Sequence, residues 1–213
     1  MFEHKTVSLA DQVFEKLERE ILIGTYSHGE ILTESKLSAE LGVSRTPVRE
    51  ALNRLEQENL IINTKKGVMV LGITESDLVD IYDIRLKIEG MAVAKFIENL
   101  NEDSLGKLKE ILDFQEYYGE RKDSRRVMYK DSEFHESIYK NCGSNILCET
   151  LLPLHKKVVK FRQASIEKSG RTEKSISEHK AIYNAIAERN IELAIKLVHE
   201  HIENARANIL GGK

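Results

Sequence analysis

Proline is nearly missing from this chain: Pro47 and Pro153 are the only two in 213 residues, and glycine clusters are scarce. A backbone with so few breakers is free to run as long helices, and the apolar spacing agrees with helix almost everywhere. One segment breaks the pattern. Leu60-Ile61-Ile62-Asn63-Thr64, then Lys65-Lys66-Gly67, then Val68-Met69-Val70-Leu71 reads as two short β-rich runs around a glycine turn, a hairpin. The expected fold is therefore mainly α, with a small β-hairpin closing a first module and an all-helical remainder.

Upstream of the hairpin, Val13, Leu17 and Ile21 mark one face of a helix that stops near Gly24. Thr33 can cap a second helix through Leu41, ended by Gly42, and Ser44 can cap a third running to about Asn59. Helix, helix, short turn, helix, hairpin is the order of a winged helix-turn-helix. Beyond Gly72-Ile73, Thr74 followed by Glu75 and Asp77 starts a new helix, the acids facing the positive end of its dipole. Helices are expected near 74–99, 101–118, 123–141, 144–167, 174–189 and 191–210, which divides the chain into domains 1–72 and 73–213. That division suits a length long for one average domain and short for two.

Charge narrows the partners. Residues 1–71 carry 9 Lys+Arg against 11 Asp+Glu, so a nucleic-acid surface here has to be a narrow stripe backed by acids that limit non-specific binding. On a helical wheel of 44–59, Val48, Ala51, Leu52 and Leu55 take one side while Arg45, Thr46, Arg49 and Asn53 gather on another. Two guanidiniums one turn apart can reach guanine edges or phosphates in the major groove, and Lys65 and Lys66 beside Gly67 can reach an adjacent groove. Paired helices are common in all-α domains and exposed arginines are often only solvated; it is the combination with a basic hairpin that points to DNA. No run approaches eighteen apolar residues, and Met1-Phe2-Glu3-His4-Lys5 lacks the layout of an export signal, so a cytoplasmic protein without membrane partners is expected. Cys142 and Cys148, six apart, are read as reduced.

Five of the seven histidines fall in the second half. Asp131 and His135 are four apart and share a face with Phe134 and Ile138. His179 sits in the stripe of Ile176, Ile182, Tyr183 and Ile186, and His201 among Ala194, Leu197, Val198 and Ala205; His199 lies off that stripe. A lone inward histidine is more often a hydrogen-bonded core residue than a ligand. Three imidazoles and a carboxylate on apolar faces of three helices together suit a divalent transition metal, whose charge would make burial of Asp131 tolerable. His155 also faces inward and is read as core or pocket wall. Arg85 shares the stripe of Leu78, Ile81, Ile88 and Ala92 and needs an anion: either Glu89 one turn on, or the carboxylate of a bound effector. Arg162 is a weaker candidate of the same kind.

Ser44-Arg45-Thr46-Pro47-Val48-Arg49-Glu50-Ala51-Leu52, preceded by Leu37-Ser38-Ala39-Glu40-Leu41-Gly42-Val43 and followed by Arg54-Leu55-Glu56, resembles the winged-helix signature of GntR-family bacterial transcriptional regulators. That likeness implies Arg45 and Arg49 as the main operator contacts, Thr46 on the backbone, and the Lys66-Gly67 tip in the minor groove. At the start of the second helix, where some members carry a further basic contact, this chain has Glu34-Ser35-Lys36. Asp131-Ser132-Glu133-Phe134-His135, Glu178-His179-Lys180-Ala181-Ile182 and His201-Ile202, with Arg85-Leu86-Lys87-Ile88-Glu89, resemble the FCD effector domain of the FadR-type branch. In that family a helical bundle encloses a metal, which implies Asp131, His135, His179 and His201 as ligands of zinc, nickel or manganese, and a small carboxylate as effector. The expected protein is a ligand-responsive regulator, a repressor by the commoner direction, acting as a homodimer on a double-stranded operator. Two rivals stand beside it: a metal-dependent hydrolase using the same site, and a sensor whose metal is purely structural.

Overall fold

The computed structural model describes residues 8–158 and 171–211. It divides into two compact units, residues 1–74 and 75–213, two residues later than the boundary expected from sequence.

The first unit runs α1 (Leu9–Leu22), β1 (Ile31–Leu32), α2 (Glu34–Leu41), α3 (Arg45–Gln57), β2 (Ile61–Thr64) and β3 (Gly67–Val70). Ser8 caps α1 by accepting from the Asp11 N–H at 3.0 Å, and Thr33 caps α2 by accepting from the Lys36 N–H. Ser44 occupies the cap position of α3 in an extended conformation but makes no capping hydrogen bond. The reason lies three residues on: Pro47 takes the third helical position and has no N–H to offer. One apolar core binds the unit. Val13, Phe14, Leu17 and Ile21 of α1 meet Val48, Ala51, Leu52 and Leu55 of α3, with Leu32, Leu37, Val68 and Val70 completing it. Arg54 is spent internally, its guanidinium 2.6 Å from Asp11 and stacked over the Phe14 ring.

The expected hairpin is present, with Ile61 opposite Val70 and Thr64 opposite Gly67. It gains a strand the sequence did not announce: β1 pairs antiparallel with β3, Ile31 opposite Met69 and Leu32 opposite Val68. Two residues are too few to carry a periodic signal. This third strand explains Gly67. Its φ is 137°, and a Cβ there would lie 2.3 Å from the Leu32 carbonyl oxygen, so only glycine lets β1 come this close.

The second unit is helical: α4 (Glu75–Glu98), α5 (Glu102–Glu120), α6 (Ser124–Asn141), α7 (Asn145–Lys157), α8 (Arg171–Ala187) and α9 (Ile191–Leu210). α5 opens with a reciprocal cap between Asn101 and Ser104 and continues two residues past the expected stop at 118. α7 is described to Lys157; the rest of the helix expected over 144–167, with Arg162, lies outside the described residues. α4 packs along α9 and α5 along α6, while α8 touches α5, α6 and α9, and α7 touches α4 and α6. Arg189 donates from its guanidinium to the Ile97 and Leu100 carbonyls, fastening the α8–α9 turn to the end of α4. Among the described residues no helix is long and apolar enough to cross a membrane.

Candidate metal centre and nucleic-acid interface

Each of the six described helices of the second unit sends a polar side chain into the interior. Arg85 and Glu89 come from α4, Gln115 from α5, Asp131 and His135 from α6, His155 from α7, Ser175 and His179 from α8, and His201 from α9, all buried. The four residues expected as ligands are brought together: one ligand atom from each of Asp131, His135, His179 and His201 lies within 4.8 Å of all the others. His135 Nε2 stands 3.2 Å from His201 Nε2 and 3.3 Å from His179 Nε2, and His179 Nε2 stands 3.5 Å from an Asp131 oxygen. Atoms bound at about 2.0–2.1 Å around one ion at tetrahedral angles would be about 3.4 Å apart, which these three spacings match, and all four atoms lie within the reach of a single ion.

The outer nitrogens show how the rings are held. His135 Nδ1 meets Glu89 Oε1 at 2.9 Å, His179 Nδ1 meets Gln115 Oε1 at 2.8 Å, and His201 Nδ1 meets Glu178 Oε2 at 2.7 Å. All three partners are oxygens, so each Nδ1 carries the proton and each Nε2 turns a lone pair toward its neighbours. Lone pairs converging at these distances repel, and a cation between them removes the repulsion. The donor set therefore fits a divalent metal. Ser175 donates to Asp131 Oδ1 at 3.1 Å, and the Phe134 ring stacks on His179 at 4.4 Å between centroids. Sequence reasoning did not identify Glu89, Gln115 or Glu178 as holders of the rings. Glu178, next to His179, is the one whose position in the motif carried a signal.

Arg85 makes the internal ion pair: its Nε donates to Glu89 at 2.9 Å, with Nη2 at 3.4 Å, both residues buried. Burial opposes charge on both groups, but their mutual attraction prevails, so Glu89 stays ionised well below the ordinary range and Arg85 is held charged more firmly than usual. Glu89 thus serves Arg85 and His135 with one carboxylate. His155 lies beside His135, ring centroids 5.4 Å apart, and burial, joined by the neighbouring His135 and Arg85, pushes its pKa well down. It is a neutral wall of the centre, as its inward placement implied.

In the first unit the reading face stays in solvent. Arg45, Thr46, Arg49 and Asn53 are exposed along α3, and Lys65 and Lys66 are exposed at the tip between β2 and β3. Arg49 is engaged: its Nε and Nη2 donate to the two carboxylate oxygens of Glu34, each at 2.7 Å. Those hydrogen bonds, with the charges of Arg49 and Arg45 added, hold the Glu34 carboxyl below its ordinary range. Gly67, placed among the DNA contacts by resemblance, has a structural duty in the approach of β1.

A winged helix with exposed guanidiniums, followed by a helical domain built around inward-facing histidines and carboxylates, is an architecture suited to a two-domain transcriptional regulator. The model of the bacterial regulatory proteins of the gntR family matches residues 9–70, and that of the FCD domain matches residues 80–204. The gluconate operon transcriptional repressor of Bacillus licheniformis is 28% identical over 199 residues, covering 91% of this chain and 82% of that protein. The HTH-type transcriptional regulator McbR of Escherichia coli (strain K12) is 35% identical over 148 residues, 69% of this chain and 67% of McbR. A solved structure of E. coli McbR/YncC superposes with a TM-score of 0.78 at 28% identity, covering 97% of this chain and 99% of that one. The chain belongs to the GntR family of bacterial regulatory proteins, with an FCD domain as its second unit. That membership puts it among DNA-binding transcriptional regulators rather than enzymes, and the hydrolase alternative finds no support.

Proposed function

We propose that this protein is a ligand-responsive repressor, reading a double-stranded operator through residues 1–72 and sensing a small carboxylate through residues 73–213. The observation that carries the sensing half is the convergence of Asp131, His135, His179 and His201 with every Nδ1 turned outward onto an oxygen. Those four residues would hold a divalent transition metal, zinc first, with nickel or manganese as alternatives. A metal bound there supplies positive charge and a coordination position for a carboxylate. Arg85, charged and buried one turn from Glu89, is the cation an effector carboxylate would reach, in competition with Glu89. Repression as the direction is supported by the names of relatives such as the Bacillus gluconate operon repressors.

In the reading half, Arg45 and Arg49 take bases or phosphates in the major groove, Thr46 takes the backbone, and the Lys66-Gly67 tip enters the neighbouring minor groove. One such module makes few contacts, so operator-level specificity calls for a homodimer whose two-fold axis matches an inverted repeat. Effector capture would tie helices of the sensor together and shift DNA affinity by differential binding to the two states.

The test is metal content. Protein purified without chelator should hold one ion per chain by elemental analysis, and His179→Ala should fall far below that while keeping its helical circular dichroism. Unchanged stoichiometry in the variant would remove this ligand set.

A further inference from the structure

The contact between Glu34 and Arg49 joins the first residue of α2 to the reading face of α3, and its geometry is specific. A guanidinium has five N–H donors in a planar fork. Glu34 takes the side of the fork, the Nε–H and one Nη2–H, at 2.7 Å each. That leaves the far edge, one N–H on each terminal nitrogen, pointing away from the carboxylate in parallel. This edge matches the O6 and N7 acceptors of guanine in the major groove. Arg49 remains 61% exposed at its side chain and Glu34 32%, so the pair lies on the surface that faces outward from the core.

Electrostatics favours the same reading. A carboxylate fixed beside the guanidinium repels phosphate oxygens, which makes Arg49 a poor backbone clamp, whereas the neutral edge of guanine carries no such penalty. It also removes freedom from a long side chain before DNA arrives, so less entropy is lost on binding. We propose, resting on the DNA-reading role given above, that Glu34 is a positioning residue that holds Arg49 side-on and dedicates it to one guanine in each operator half-site. Glu34 itself touches no base in this arrangement; it acts through Arg49.

The experiment uses the full chain and a random-sequence duplex library. Wild type is carried through selection to define its site, and Glu34→Ala, Glu34→Gln, Arg49→Ala and the double variant Glu34→Ala/Arg49→Ala are then compared at fixed salt. Glu34 is partly exposed and α2 keeps its Thr33 cap, so the Glu34 variants should fold, as circular dichroism will report. Glu34→Ala and Arg49→Ala should relax the same guanine position, with discrimination against the other bases falling about tenfold. The double variant should relax it no further. Glu34→Gln, which keeps one oxygen acceptor, should retain part of the preference. Binding of Glu34→Ala to non-specific duplex should hold or rise, because a negative charge has gone.

Uniform weakening on all sequences would reduce Glu34 to a structural role and overturn the proposal. So would relaxation at a position different from that of Arg49→Ala, or sharper guanine preference in Glu34→Ala, which would make the pair a restraint on reading. Enrichment of no motif by wild type would instead remove the DNA-reading role itself, and the positioning role with it.

Discussion

The two units of this chain differ in what their interiors hold. In the first, the buried cluster is apolar throughout, and the arginines and lysines lie at the surface. Among the described residues of the second, ten polar or charged side chains are buried, all between Arg85 and His201. A domain that reads a polyanion from outside gains nothing by hiding its cations, so it folds on apolar burial at about 1.5–3 kcal/mol per large side chain. A domain that encloses a small ligand has to carry polar groups inside. Each then needs a partner, because an unpaired buried charge is strongly destabilising. The stability of the first unit is therefore set by its apolar packing, and that of the second depends also on how its buried polar groups are partnered.

The largest test of this contrast is Glu89→Ala. It strips the counter-charge from Arg85 and the acceptor from His135 at once, and should cost the helical unit about 3–5 kcal/mol in chemical denaturation. A loss within ~1 kcal/mol would mean that water reaches Arg85 and that the interior is less closed than described. Gly67→Ala comes next, at about 2–3 kcal/mol, because its Cβ would collide with a backbone oxygen and its φ disfavours any side chain. That loss should fall on the winged-helix transition alone; a shift of the helical unit's transition as well would mean the units do not melt separately. Gln115→Leu separates stability from binding. It removes a buried amide whose Nε2 makes no hydrogen bond but leaves the buried His179 Nδ1–H without its acceptor, so stability should fall by only about 1 kcal/mol, while loss of that orienting acceptor should lower metal affinity about 10- to 100-fold. Unchanged affinity in a metal titration would show that ring packing on Phe134 suffices. Lys66→Ala is the smallest: affinity should fall by the same modest factor on operator and random duplex, with the salt slope reduced by about 1. A loss confined to operator would turn Lys66 into a base reader.

Much of this was legible from residue spacing. The cap at Thr33, the α3 faces, the hairpin and the inward placement of Asp131, His135, His179 and His201 all follow from local pattern, since a residue's face on a helix depends only on its near neighbours. Ser44 looked like a cap by residue type, yet Pro47 denied it a donor. β1 was illegible because its two residues are a strand only by pairing with β3, more than thirty positions away. Glu89, Gln115 and Glu178 are ordinary helix formers whose duty arises from meeting a ring on another helix.

Sequence alone determined the helices and the hairpin, the inward set of one aspartate and three histidines, and the outward row of arginines and lysines, because helical pitch converts spacing into direction without reference to the rest of the chain. Tertiary structure alone decided which partner each of these groups meets. Arg85 could have faced an effector or Glu89 and faces Glu89; Arg49 could have stood solvated and is gripped by Glu34. Hydrogen bonds and ion pairs act only over a few ångströms, so their pairing is settled when helices distant in sequence pack, and not before.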